Sequence, residues 1–253
     1  MHPIIYKIGP LTVYSYGMMV AIAFLVGISI ARIEARRKDI NPELIYDFGF
    51  YLVIGSIIAA RLYYLLFFNL QGFLEDPLSI FKVWQGGLSI HGAILGGIIA
   101  GIVFSKARKI NFWNLADLIS PSIILGQAIG RIGCFLNGCC FGVPTRSMFG
   151  IRFPKGSLAD IAYGGLAVHP TQIYELILNL IGFLMLWGLR KRIRFDGGIF
   201  LLYLMMYAVI RIIVSQFRGD NLYIWPSNFK LADLSSIIIF IIAIGLYIKR
   251  KHA

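Results

Sequence analysis

An all-α polytopic membrane protein with seven transmembrane helices is the fold class this sequence predicts, on three observations. Of its 253 residues, 58% are hydrophobic and only 14% charged, with a mean hydropathy of +0.77; soluble domains carry roughly 25% charged residues. Seven apolar runs, near 13–31, 46–68, 87–104, 115–136, 171–189, 197–216 and 231–248, approach the length of about 20 residues that crosses a hydrocarbon core. The cations between the runs are sorted by side.

After runs one, three, five and seven stand Arg32, Arg36, Arg37 and Lys38, then Lys106, Arg108 and Lys109, then Arg190, Lys191, Arg192 and Arg194, then Lys249, Arg250 and Lys251, which is 14 of the 24 cations. The opposite connections hold only Lys7, Lys82, Arg146, Arg152, Lys155, Arg218 and Lys230. The positive-inside rule therefore puts the N-terminus outside and the C-terminus in the cytoplasm. In a soluble chain a net charge of +12 would suggest nucleic acid. Here the charge orients helices, and no nucleic-acid partner is expected.

The first run is preceded by Lys7 as its one cation, and no small-residue cleavage site follows it, so it is expected to remain in the membrane. Residues 1–253 are expected to form one membrane-embedded catalytic domain. Segment 137–170, rich in Gly, Pro and aromatics (Phe141, Pro144, Phe149, Phe153, Pro154), is too apolar for a disordered linker and predicts a small extracytoplasmic cap.

Three cations remain, Arg61, Arg131 and Arg211, all inside apolar runs. One arginine near a helix end commonly snorkels to the interface. Three at one depth are a different matter. At 1.5 Å per residue they lie about 22, 24 and 21 Å from the cytoplasmic ends of their runs, in the outer half of the membrane. His91, Tyr16 and Tyr207 fall near the same level. Asp117 and Glu175 are expected near the inner start of the fourth run and the outer start of the fifth, leaving too few acids to neutralise the three guanidinium groups. An anion site follows, since the planar fork of Arg suits phosphate, and membrane lipids supply phosphates there. His91 is open to three readings: a hydrogen-bonded structural residue, a metal ligand, or a proton acceptor. Cys134, Cys139 and Cys140 are too few and too odd in number for a disulfide framework. Their spacing matches no standard zinc pattern, so no metal is expected.

The stretch GRIGCFLNGCCFG, residues 130–142, resembles the signature of the bacterial prolipoprotein diacylglyceryl transferases through Gly130, Arg131, Gly133, Phe135, Asn137 and Gly142. Further blocks resemble that family in the same order: SYG with Tyr16, RLYY with Arg61 and Tyr64, VWQGGLSIHG with His91, NLADLISP with Asn114 and Asp117, HPTQIYE from His169 to Glu175, and YAVIRIIVSQFR with Tyr207, Arg211 and Arg218.

The resemblance implies a multi-pass enzyme of the bacterial inner membrane. It would move the diacylglyceryl group of phosphatidylglycerol to the lipobox cysteine thiol of a prolipoprotein signal peptide, forming a thioether and releasing glycerol phosphate, without a cofactor. It implies catalytic roles for His91, Arg131, Arg211 and Tyr16, and substrate contacts from Arg131, Arg61, Asn137, Gly142, Tyr207 and Tyr64. Cys134 and Cys139 stand where the signature has Asn and Glu, and Ser215 where family members often have Glu. A mechanism that uses either glutamate as base cannot run here unchanged, which favours His91. The competing reading is a transporter or receptor that holds an anionic lipid with the same arginines.

Overall fold

The computed structural model describes residues 3–8, 11–82, 84, 86–224 and 229–252. A short hairpin, β1 (Ile4–Ile8) and β2 (Leu11–Tyr14), opens the chain and leads directly into α1 (Ser15–Arg37). Then follow α2 (Leu44–Phe68), the short α3 (Leu70–Glu75), a 3-10 turn (Pro77–Phe81), α4 (Ile90–Arg108), α5 (Phe112–Asn137) and α6 (Leu158–Tyr163). The chain closes with α7 (Thr171–Leu189), α8 (Gly198–Ser215), a second hairpin of β3 (Tyr223–Ile224) and β4 (Phe229–Lys230), and α9 (Leu231–Lys251). Among the described residues, α1, α2, α4, α5, α7, α8 and α9 are long and apolar enough to cross a membrane. The run expected at 171–189 coincides with α7. α1, α4 and α9 extend further into their basic ends, because Lys and Arg continue a helix well beyond the point where hydropathy falls. The two hairpins were not expected.

The chain divides into two compact units, Met1–Ile30 with Ile119–Ala253, and Ala31–Leu118. The division runs through α1 and α5.

In the unit Ala31–Leu118, α2 packs closely on α4. A Cβ added to Gly92 would sit 2.4 Å from the Ala59 carbonyl oxygen, and one on Gly96 2.3 Å from that of Gly55. Small residues at four-residue spacing thus let two backbones touch, a contact suited to lipid, where apolar side chains gain nothing by leaving their surroundings. At the basic end of this unit Lys38 reaches Asn114 Oδ1 at 2.8 Å and Asp117 Oδ2 at 3.6 Å, and Arg37 pairs with buried Glu34 at 2.8 Å. Asn114 and Asp117 of the NLAD block are therefore spent anchoring the loop after α1.

In the other unit α5, α7 and α8 share a core of Ile124, Leu186, Ile199, Tyr203, Ile210 and Val214. Gly182 on α7 admits Ile124, whose Cδ1 would lie 2.5 Å from an added Cβ. The segment after α5 is folded. Gly142, Val143 and Thr145 exchange backbone hydrogen bonds with His169, Phe217 and Ala167, and Ile151 pairs with Val168. Phe153, Ala159 and Val168 form its core, backed by Phe135, Phe141 and Tyr163.

Candidate active site

The end of α5 shapes the site. Gly138 follows the helix with φ +74°, and the chain closes a Schellman turn in which the Gly138 amide donates to the Phe135 carbonyl and the Cys139 amide to the Cys134 carbonyl, satisfying carbonyls that helix ends leave open. Glycine suits that position because it carries no Cβ to clash. The turn folds Cys139 back over Cys134, and Cys140, at φ +60°, returns its side chain to the same point. The three sulfurs lie within 4.8 Å of one another, a convergence that the linear spacing hides. Two side chains at the start of α7 pin the turn: buried Thr171 Oγ1 donates to the Cys140 carbonyl at 2.6 Å, and buried Gln172 Nε2 to the Cys139 carbonyl at 2.7 Å.

Arg131 lies six residues before the end of α5. Its Nη2 donates to Glu175 Oε1 at 2.6 Å and its Nη1 to Cys134 Sγ at 3.8 Å. Glu175 is 3% exposed and Arg131 20%, so this is a mostly desolvated, charge-assisted pair of the strong kind. Arg218 approaches the other oxygen of Glu175 at 4.0 Å and is held by Asp220 through Nε and Nη2, both at 2.7 Å. Burial opposes the charge on Arg218, but the Asp220 hydrogen bonds and the fields of Cys140, Asp220 and Glu175 outweigh it and raise its pKa. Hydrogen bonds from Cys134 and Cys139, helped by the fields of Arg218 and Arg131, hold the Cys140 thiol well below the ordinary range against its burial.

Arg131 thus meets an acid, Glu175, which the sequence placed at the outer start of the fifth run without a partner. Glu175 is four residues into α7 and Arg131 six from the end of α5, about 6 and 9 Å from their helix ends. Their depths are alike, and the facing of α5 and α7 brings them into contact.

Tyr16 sits where α1 crosses α5. An added Cβ on Gly133 would lie 3.3 Å from Tyr16 Cα, so glycine brings the two helices together two residues from Arg131, and the ring is within electrostatic reach of Arg131 and the three thiols. Asn137 is the last residue of α5, two residues before Cys139. Gly142 has a packing role: an added Cβ would lie 2.6 Å from both His169 Cβ and the Phe217 carbonyl oxygen. On α8, Tyr207 stacks on Tyr203, which accepts from Gln127 Nε2 at 3.1 Å. Arg211, one turn on, is half-buried, and its Nη1 is buried with no hydrogen-bond partner among the described residues. Ser215, fully buried, donates to Asp233 of α9, whose second oxygen accepts from Gln216 Nε2 at 3.1 Å. A carboxylate thus stands beside position 215 after all, delivered by a different helix.

The remaining expected residues belong to the unit Ala31–Leu118. Arg61 is 4% exposed and its donors are engaged: Nη1 to Gly86 O at 2.5 Å and Gly87 O at 3.3 Å, and Nη2 and Nε to Ser79 O at 2.6 and 3.3 Å. The guanidinium clamps the connection between α2 and α4, and four of its five N–H groups are not available to a substrate, contrary to the role expected of it. Tyr64 lies beneath it in a cation–π contact at 5.9 Å. His91, on the first turn of α4, is exposed and stacks on Tyr63 at 6.0 Å.

Residues 3–249 match the family model described as prolipoprotein diacylglyceryl transferase. The chain belongs to that family. It is 38% identical to the phosphatidylglycerol–prolipoprotein diacylglyceryl transferase of Fusobacterium nucleatum, over 99% of this chain and 98% of the relative. It is 37% identical to that of Trichormus variabilis, over 98% and 91%, and 40% to that of Synechococcus elongatus, over 93% and 83%. Membership of the family gives chemical meaning to the polar groups gathered around Arg131, and Glu175, Arg218, Thr171 and Gln172, which the sequence did not mark as site residues, join them by contact.

Proposed function

We propose that the protein transfers the diacylglyceryl group of phosphatidylglycerol to the lipobox cysteine thiol of prolipoproteins, forming a thioether and releasing glycerol phosphate. Family membership supports the reaction class, and one structural observation carries the assignment of the site. Arg211 keeps a buried, unpartnered N–H donor, and buried donors are nearly always satisfied; a lipid phosphate is an acceptor of the right charge and shape. Arg131 and Arg211 stabilise the charge that grows on the departing phosphate, an effect that is often the largest catalytic contribution. Tyr16, Tyr207 and Asn137 line the approach, and the folded segment 137–170 forms an extracytoplasmic cap that guides the peptide. The protein works in the bacterial inner membrane with its N-terminus outside.

The test is mass spectrometry of a lipobox peptide incubated with the purified protein in phosphatidylglycerol vesicles. The peptide gains one diacylglyceryl mass, and Arg211→Gln lowers the rate at least about 100-fold without loss of folded protein. A wild-type chain that binds the lipid but never modifies the peptide overturns the proposal in favour of a lipid-holding transporter or receptor.

A further inference from the structure

The three cysteines are the one cluster of soft ligands among the described residues. We infer that Cys134, Cys139 and Cys140 form a zinc site with an open fourth position that takes the substrate thiol. The inference rests on the transfer reaction proposed above and says how that reaction obtains its nucleophile.

Geometry is the first argument. Tetrahedral zinc with Zn–S bonds of about 2.3 Å holds its sulfurs about 3.8 Å apart, and these three already lie within 4.8 Å, all as free cysteines. The Schellman turn and the anchors from Thr171 and Gln172 fix the two cysteine backbones that carry the later ligands, so little ordering is left to occur on binding. Cys134 is buried while Cys139 and Cys140 are partly exposed, which leaves one side open.

Charge is the second. Three thiolates with the carboxylates of Glu175 and Asp220 face a divalent ion and the guanidinium groups of Arg131 and Arg218, a net −1 with water in the fourth position, whereas the same three thiolates without the ion would stand at −3. Without the metal, two mostly buried guanidinium groups share one buried carboxylate, the remaining counter-charge being the half-exposed Asp220. The Arg131 donation to Cys134 Sγ then becomes the outer hydrogen bond that orients a metal ligand.

Chemistry is the third. Zinc sites that catalyse keep three protein ligands and one exchangeable position, and a thiol that coordinates zinc is deprotonated outright. The lipobox thiol displaces water, and its proton passes to solvent. The zinc-bound thiolate attacks the glyceryl carbon bearing the phosphate. A C–S bond forms, the C–O bond breaks, and its electron pair leaves on the phosphate oxygen of glycerol phosphate. The product thioether is neutral, a weaker ligand, and departs; zinc is not oxidised or reduced.

The test uses wild-type protein purified in detergent. Elemental analysis finds about one zinc per chain. Cobalt(II) in its place gives thiolate-to-cobalt charge-transfer bands and the visible bands of a tetrahedral ion, which shift on addition of a lipobox peptide but not of its Cys→Ser analogue. Cys139→Ser weakens zinc binding at least tenfold. A zinc-free or copper-loaded protein overturns the inference, as does a cobalt spectrum without thiolate bands, a peptide-insensitive one, or a chain with one titratable thiol, whose other two are a disulfide. Transfer that survives complete chelation does so too while leaving the transferase reading intact. Zinc with peptide-sensitive cobalt bands in a protein that never modifies the peptide sustains the site and overturns the transferase reading instead.

Discussion

Arg61 and Arg131 pose the same problem to the membrane and solve it differently. Both lie in apolar helices, and both are mostly or fully buried. Arg61 spreads its fork over the carbonyls of Ser79, Gly86 and Gly87, neutral acceptors that belong to its own unit and follow it closely in sequence. Arg131 meets an ionised partner 44 residues away, Glu175, and a sulfur. Carbonyls saturate donors and build a loop; a carboxylate shared with Arg218 beside thiols leaves charge that chemistry can use. Burial of a guanidinium alone does not mark a catalytic residue, and the identity of its acceptors separates a clamp from a site.

The sharpest way to break this contrast is the same substitution at both positions. Arg131→Lys keeps the charge and loses the fork, and transfer falls at least about 100-fold in a rate assay in phosphatidylglycerol vesicles, with helix content unchanged by circular dichroism. Arg61→Lys keeps the wild-type rate constant; equal losses in both variants would make Arg61 part of the site.

Gly142→Ala comes next. The new Cβ meets His169 Cβ and the Phe217 carbonyl at 2.6 Å, both on a paired backbone that cannot easily retreat, at a cost of up to about 3 kcal/mol. Hydrogen exchange at the amides of Gly142, Val143 and His169 then speeds up together.

The stability cost of Arg61→Lys is smaller. An ammonium group cannot serve Ser79 and Gly86 at once, and an unsatisfied buried carbonyl costs about 2 kcal/mol, visible as a lower melting temperature.

The smallest effect is in the same connection. The Lys82 hydrogen bond to Asp76, at 2.6 Å, holds that carboxyl below its ordinary value of 3.8. A depressed folded-state pKa adds stability at pH values above the unfolded one, and that contribution is lost as pH falls through the folded value. Protection of the Ser79 and Lys82 amides, measured against the free-peptide exchange rate at the same pH, therefore falls under acid conditions below pH 3.8, and Asp76→Asn removes that fall.

Much of the fold was legible in the residues. Hydropathy is a local sum, so the seven spans follow from it, and the expected depths of Arg131, Arg211, Tyr16 and Tyr207 rest on nothing more than 1.5 Å of rise per residue. The depth of Glu175 at the outer start of its run was legible, but its partner was not, because depth does not say which helix faces which. The cysteines were missed for a different reason: ligand spacings assume a hairpin or a helix face, whereas here a Schellman turn and a left-handed Cys140 bring the sulfurs together. Asp233 beside Ser215 had no linear signal at all.

Sequence by itself determined the set of spans, the sorting of the basic loops and the family, since each depends on residue types in order. Tertiary structure decided which arginine is a clamp and which has a carboxylate, where the three sulfurs meet, and that a serine position borrows its acid from α9. Those outcomes depend on the angles at which helices present their faces and on contacts across 18 to 44 residues, and no local average of the chain contains that information.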